Sequence, residues 1–321
     1  MILGLYRYDL PFRHPISSGN EIIESRSGIL VRAGDAWGEV SPLPGESQES
    51  LEDALSDAKQ YIESVADKEP IHPVEFESPS ARFGIDCLRE CIAYERSAEP
   101  QFVKSYATLS GSPKTIIYEW LKCTGPSPDT VKLSVGKNGM KDELRLVKEL
   151  TKRNADLKII LDAGCRWTKE EAWTFLSQVS KDNICYVQDA CDNLKDISEV
   201  SEATGIPVAL QRHVTSSSLP EWSLIPNLKA IVIKPSIVGL ISECHALTAI
   251  AASMGLFTVF ESAYESAVGI LNIQNLALRR GVSRTYRHGL DTAGIFEKNV
   301  MKPDGVTVNT RVLSTICEIN A

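Results

Sequence analysis

The sequence has little of what marks several large functional classes. Its eight cysteines form no C-x-x-C pair, and it has neither a run of basic residues nor an apolar stretch long enough to span a bilayer. The longest uncharged segment, Ala246 to Phe260, is 15 residues and includes Thr, Ser and Gly, short of the ~20 apolar residues that a membrane-spanning helix needs. Lys and Arg number 34 against 42 Asp and Glu, a formal net charge of −8. That balance excludes generic electrostatic binding to nucleic acid or anionic lipid. The first residues, Met1 to Asp9, lack the basic region and apolar run of a signal peptide, so a cytoplasmic location is expected. Cys87 and Cys91 are four apart and can share a helix face, but no neighbouring His or Cys completes a four-ligand zinc set. Reduced thiols, mostly buried as small hydrophobes, are expected. The five Trp and eight Phe show no stacking-platform spacing and read as core or interface.

What is present is an ordinary globular composition, 43% hydrophobic and 24% charged over 321 residues. That length suits two domain-sized units, or one α/β barrel with an appendage. The first hundred residues read as α+β. Ser27 to Ala33 is a strand, Gly34-Asp35 a turn, and Ala36 to Val40 the returning strand of a hairpin. Leu51, Ala54, Leu55, Ala58, Ile62 and Val65 recur at helical spacing within Glu49 to Val65. Pro79 to Ala98 reads as a second helix, with Ser78 as cap and Pro79 in the first turn.

From Val131 onward short apolar strands alternate with amphipathic helices. The strands are Val131–Val135, Lys158–Asp162, Ile184–Asp189, Pro207–Gln211, Leu228–Lys234 and Leu256–Glu261. Between them lie helical patterns such as Asp142 to Arg153, Lys169 to Val179, Leu194 to Ala203 and Val238 to Met254. Repeats of roughly 25 residues, with strands apolar on both faces, predict a modified (β/α)8 barrel preceded by an α+β capping domain. A doubly wound open sheet is the alternative, but no strand is followed by a Gly-rich dinucleotide turn, and Gly136 to Gly139 only weakly mimics a phosphate loop. The expected divisions are a capping domain over residues 1–99, a barrel over 100–290, and a tail over 291–321. That tail, with Val306-Thr-Val-Asn-Thr, is expected to return as a strand to the capping domain.

In such a barrel the chemistry sits where strands end. Lys132 and Ser134 lie two apart and share a face. The following strands close on Asp162, on Gln188-Asp189, on Gln211-Arg212-His213, on Lys234-Pro235 and on Glu261-Ser262. A Lys ending an otherwise apolar strand is costly to bury without a partner, so Lys234 is the leading functional candidate on chemistry alone.

This layout resembles the enolase superfamily and, within it, the o-succinylbenzoate synthase family of menaquinone biosynthesis. The motifs carrying the resemblance are Trp37-Gly-Glu-Val-Ser-Pro-Leu-Pro-Gly-Glu-Ser-Gln-Glu49, Pro79-Ser-Ala-Arg-Phe-Gly-Ile-Asp86, Val131-Lys-Leu-Ser-Val-Gly136, Leu161-Asp-Ala163, Ile231-Val-Ile-Lys-Pro235 and Gly289-Leu-Asp-Thr292. The resemblance implies a dehydratase in which the second Lys of a K-x-K pair abstracts a proton alpha to a carboxylate. Three acidic residues then hold Mg2+, which neutralises the developing enediolate, and a far Lys faces it. Lys132 matches the first Lys of the pair, Lys234 the far Lys and Asp162 the first metal ligand. The pattern is broken elsewhere. Ser134 stands at the base position, Gln188 and Gln211 at the other two ligand positions, Gly164 where an Asn is usual, and Glu46 where an aromatic is usual.

A neutral amide is a poor ligand for a hard cation, and an unactivated Ser hydroxyl has no useful basicity. The implied dehydration is therefore expected to be lost or severely impaired, with no tightly bound cofactor, or Mg2+ if the activity persists. Retained carboxylates without a cation would repel one another, which Gln avoids. Lys132 and Lys234 then read as remnants paired with Asp162, or as ligand-binding groups. Asp189 points to the opposite strand face from Gln188. Glu261 closes its strand where the family has a small polar residue, either as a new acid–base group or as a partner for a pocket Lys or Arg212. His213 reads as a solvated or hydrogen-bonded side chain and Arg82 as a structural ion-pair residue. Glu39 and Ser47 belong to the capping domain, Ser47 in a loop that closes over substrate in the family. Three functions follow. The first is a pseudoenzyme of synthase descent binding a small carboxylate or a partner protein. The second is a working synthase with Lys132 as base and with Asp162, joined by Asp189 or Glu261, on the metal. The third is a metal-free enzyme using Lys234, Glu261 and His213.

Overall fold

The computed structural model describes residues 2–19, 21–93, 103–123, 125, 127–215, 218–279, 286–302 and 307–320. Its first sheet is antiparallel and runs β12-β1-β2-β3, from β1 (Ile2–Ser18), β2 (Glu21–Ala33), β3 (Ala36–Val40) and, from the far end of the chain, β12 (Ser314–Asn320). Leu3, Leu5, Ile29, Val31 and Val40 alternate onto one face of it. There they bury Ala54, Ala58 and Ile62 of α1 (Leu51–Ala66) and Ile85 and Leu88 of α2 (Pro79–Ala93). Ser50 starts α1 in a capping box: its hydroxyl accepts the Asp53 N–H, and the Asp53 carboxylate accepts the Ser50 N–H. Close approach of β3 to α2 requires glycine, because a Cβ on Gly38 would lie 2.0 Å from the Gly84 carbonyl oxygen.

The hairpin was legible, but β1 was not. It contains Pro11 and Pro15, and its pairing with β2 shifts register between Pro11 and Ile16. The expected end of α2, through Ala98, lies outside the described residues, as does Val306; the strand that returns to the capping sheet is β12 and not the expected segment around Val308, which bridges Met301.

The second sheet is parallel and eight-stranded, in the order β10-β9-β8-β7-β6-β5-β4-β11. In chain order it comprises β4 (Ser105–Leu109), α3 (Pro113–Lys122), β5 (Thr130–Ser134), α4 (Met140–Arg153), β6 (Lys158–Asp162), α5 (Lys169–Leu176), β7 (Ile184–Gln188), α6 (Leu194–Thr204), β8 (Val208–Leu210), α7 (Leu219–Trp222), β9 (Leu228–Ile233), α8 (Pro235–Val238), α9 (Ile241–Ser253), β10 (Phe257–Phe260), α10 (Ala267–Arg279) and β11 (His288–Asp291). The edge strands meet at a single parallel bridge, Glu261 with Gly289. Beside it Phe260 N–H donates to His288 Nδ1 at 3.0 Å. The barrel is nearly closed.

The helix expected over Val238 to Met254 is divided, because Gly239 (φ +115) turns the chain between α8 and α9. β4 and β11 escaped notice because both are short and carry polar residues. All eight cysteines are free, but only Cys87, Cys191 and Cys244 are fully buried and Cys123 is exposed, so the expectation of mostly buried thiols is corrected. Among the described residues no helix is long and apolar enough to cross a membrane.

Candidate active site at the barrel mouth

Strand alternation decides which strand-end residues face inward. Val131, Leu133, Ile159, Leu161, Val187, Val208, Leu210, Ile231 and Ile233 pack outward against the helices. Ile160, Tyr186, Ala209, Val232 and Val259 fill the interior. One step along the same faces stand Asp162, Gln188, Gln211, Lys234 and Glu261, with Ser134 level with Asp162; Lys132 lies level with Ile160, and its ammonium reaches Asp162 and Glu261.

Lys132 and Lys234 each already have a carboxylate of this chain. Lys132 Nζ lies 2.9 Å from Asp162 Oδ2 and is also bonded to Glu261 Oε1. Glu261 further accepts the Tyr106 hydroxyl at 2.6 Å and sits 3.5 Å from Gln188 Nε2. Across the mouth, Lys234 Nζ lies 2.6 Å from Glu46 Oε2, which reaches in from the capping domain. All these side chains are buried or nearly so. Burial opposes the charge on Lys132, but Asp162 and Glu261 outweigh it and hold the ammonium above the ordinary lysine range. Lys234 is likewise raised, burial being overcome by Glu46 and Glu261. Burial would push the Asp162 and Glu46 carboxyls up; Lys132 and Lys234 respectively hold them down.

Arg166 explains two departures from the family pattern together. Its guanidinium donates to the carbonyls of Val135 (2.9 Å) and Asp162 (2.9 Å) and to Ser134 Oγ (3.2 Å). It lies over Gly164, where a Cβ would come 2.5 Å from Arg166 Nη1. Ser134 accepts from this cation, and Gly164, at φ +52, leaves room for it. Sequence reasoning passed over Arg166 and Tyr106. The signal for Arg166 was a cationic residue in the loop after a site strand; Tyr106 had none, because its strand went unread.

Other candidates fall away from the pocket. Asp189 is buried at φ +45, and its carboxylate accepts the backbone N–H groups of Gln211 (2.9 Å) and Arg212 (3.1 Å), so it fixes the end of β8 and is not presented to a metal. Ser47 Oγ accepts the Leu43 N–H at 2.8 Å and closes its own turn; its neighbour Glu46 is the residue that enters the site. His213 carries a buried Nε2 with no hydrogen-bond partner among the described residues and lies beside neither Lys234 nor Glu261 in any recorded bond. Arg82 donates to the Phe76 carbonyl and not to a carboxylate, correcting the expected ion pair. Glu39 sits at the seam between the domains and accepts the Ser266 and Gly269 N–H groups, each at 2.9 Å.

Family models divide the chain as the fold does. Residues 2–92 match the MenC N-terminal domain, and residues 126–311 match the enolase C-terminal domain-like family. The chain belongs to the enolase superfamily. Its full-length relatives include the o-succinylbenzoate synthase of Haemophilus influenzae, 28% identical over 310 residues that cover 93% of this chain and 92% of that protein. Among solved structures, the o-succinylbenzoate synthase of Thermosynechococcus elongatus BP-1, complexed with Mg in the active site, is 21% identical with a TM-score of 0.72, covering 93% of this chain and 95% of that one. The L-Ala-D/L-Glu epimerase of Bacillus subtilis is 18% identical with a TM-score of 0.76, covering 94% and 92%. These structural likenesses establish the fold.

The magnesium of the superfamily finds a poor donor set here. Among the described residues no three His, Cys, Asp or Glu side chains are grouped to hold a metal ion. Asp162 and Glu261 already share one ammonium, Gln188 brings a neutral amide, and Arg166 adds positive charge beside Asp162. Hard cations depend on carboxylate charge; the residues at this mouth do not fit one.

Proposed function

We propose that this chain is a protein of o-succinylbenzoate synthase descent, within the menaquinone branch of the superfamily, that has given up metal-assisted dehydration and keeps its pocket for binding a small organic carboxylate. The observation that carries the reading is the Lys132 ammonium locked between Asp162 and Glu261. A lysine held above its ordinary range offers no neutral amine at pH 7, which counts against Lys132 as a substitute base. Ser134 accepts from Arg166, and among the described residues no hydrogen bond joins its hydroxyl to a base. Losing a general base costs ~10²–10⁴ in rate, and losing the metal removes several kcal/mol more. The partner is then a small molecule, neither nucleic acid nor membrane, met in the cytoplasm.

The test is a direct assay on 2-succinyl-6-hydroxy-2,4-cyclohexadiene-1-carboxylate, with and without Mg2+. Wild type is compared with a variant carrying Ser134→Lys, Gln188→Glu, Gln211→Asp and Glu261→Ser. Wild type is expected to show no Mg2+-stimulated turnover, and any gain is expected in the variant alone. Mg2+-dependent turnover by wild type overturns the proposal.

A further inference from the structure

A cavity of about 670 Å³ opens beside the Lys234–Glu46 pair, lined by Gln211, Arg212, Val214 and Leu219 after β8 and by residues of α8 and α9. Its volume falls inside the ~300–1,000 Å³ range of small-ligand sites. Its lining is of two kinds: polar side chains, among them Gln211, Arg212, Lys234 and Glu46, and aliphatic ones, among them Leu219, Val238, Leu247 and Ile250.

The lining carries two cations, Arg212 and Lys234, and two carboxylates, Glu46 and Glu243, which are engaged unequally. Lys234 and Glu46 neutralise each other at 2.6 Å, and Glu243 is turned to the Leu240 N–H at 2.9 Å as the cap of α9. Arg212 is different. Its backbone N–H is fixed on Asp189 at 3.1 Å, while its guanidinium has no hydrogen-bond or ion-pair partner among the described residues. Arg212 is solvent-exposed at the rim and its charge acts on nearby Glu46, so a fixed backbone holds a hydrated fork of donors, free of any fixed bond, beside an apolar wall. Guanidinium geometry matches a carboxylate through two parallel hydrogen bonds.

We infer that this cavity binds an amphipathic organic acid without a metal: the carboxylate sits on Arg212 and an aliphatic or aryl body lies along Leu219, Val238, Leu247 and Ile250. The inference rests on the metal-free reading above and deepens it. It moves recognition off the barrel axis, where Lys132 and Glu261 fill the space, and onto a side chain that the superfamily's metal chemistry does not call for.

The test uses the intact protein and three probes, octanoate, 4-phenylbutyrate and 2-naphthoate, each beside its neutral primary amide. Binding is read by calorimetry in EDTA and again in Mg2+. At least one acid is expected to bind in EDTA, with its amide at least about tenfold weaker, the loss of one charge-assisted contact. Arg212→Gln is expected to remove that preference for the acid over the amide. Leu247→Trp, which fills the apolar wall, is expected to abolish binding of acid and amide alike; circular dichroism and the melting temperature verify that both variants are folded. Should no acid bind up to millimolar concentration, or acid and amide bind equally, or Arg212→Gln keep the preference, the inference is overturned. Affinity that rises about tenfold or more in Mg2+ and survives Arg212→Gln would instead defeat the metal-free reading, so the two failures are told apart.

Discussion

Two regions of this molecule bury carboxylates, and they do so by opposite means. At the seam between capping domain and barrel, Glu39 is surrounded by neutral donors: the Tyr8 hydroxyl at 2.6 Å, Ser41 Oγ at 3.0 Å, the Ser266 hydroxyl, and the N–H groups of Ser266 and Gly269, both at 2.9 Å. Those N–H groups open α10, so the helix dipole adds to the solvation of the charge. At the mouth, Asp162, Glu261 and Glu46 are instead held by lysines. The seam stabilises a charge with dipoles fixed by the fold, whereas the mouth stabilises charges with each other. A residue replaced at the seam leaves donors that nothing else can satisfy; a residue replaced at the mouth leaves a charge that a second substitution can remove.

Glu39→Ala therefore breaks the most. It leaves buried donors on Tyr8, Ser266 and Gly269 unsatisfied at ~1–3 kcal/mol each, so a loss of about 3–5 kcal/mol is expected in chemical denaturation. No single compensating change on the barrel side is expected to restore it. The mouth behaves otherwise. Lys132→Met strands two buried carboxylates and is expected to cost about 3–4 kcal/mol. Adding Glu261→Gln removes one of them and should recover about half of the loss. If Lys132→Met and the double variant are equally unstable, the mouth is not held by mutual charge and the contrast fails.

The contrast also marks what could be read without coordinates. Strand alternation and the βα repeat placed Lys132, Asp162, Gln188, Gln211, Lys234 and Glu261 at neighbouring strand ends, and the barrel faces them inward. The pairing of Lys132 with Asp162 was legible as chemistry, since a buried ammonium needs a partner. Glu46 meeting Lys234 was not, because the two are 188 positions apart and their contact depends on how the capping domain sits. Nor was Arg166, whose role depends on a backbone fold at Gly164 that residue types alone do not specify. Glu39 looked unremarkable in sequence for the same reason: its partners are backbone N–H groups, which leave no residue-type signature.

Acidity separates the two regions by sign. Burial raises the Glu46 carboxyl, but Lys234 outweighs it and the group ends below its ordinary range. Glu265, beside the seam, is raised by burial despite hydrogen bonds from Ser236 (2.6 Å) and Ser262 (2.7 Å). A carboxyl depressed on folding contributes stability that is present above its unfolded value and lost as pH falls through its folded one. A carboxyl raised on folding detracts from stability as pH rises through the window between the two values. Glu46→Gln is thus expected to be destabilising near pH 7, with the loss shrinking only as pH falls below the ordinary carboxylate range. Glu265→Gln should move the opposite way, its effect becoming more favourable as pH rises above the ordinary carboxylate range. Denaturation midpoints of the two variants against wild type, followed across pH, check the slopes; parallel slopes would remove the distinction.

The smallest effect probes whether Arg166 belongs to the mouth's charge balance or is only a loop brace. Ser134→Lys sets an ammonium near the Arg166 guanidinium, which now donates to the Ser134 hydroxyl at 3.2 Å. Repulsion between two partly exposed cations at that range is expected to cost about 1 kcal/mol. Arg166→Met alone loses its bonds to Val135, Asp162 and Ser134 and is expected to cost a similar amount. With both changes the new ammonium faces Asp162 without a competing cation, so the double variant should be more stable than the sum of the singles by about 1 kcal/mol. Additive losses would make Arg166 a brace alone and leave Ser134 without an electrostatic reason. A favourable coupling means that the guanidinium and a lysine at position 134 exclude each other, and that the serine is there because the arginine is.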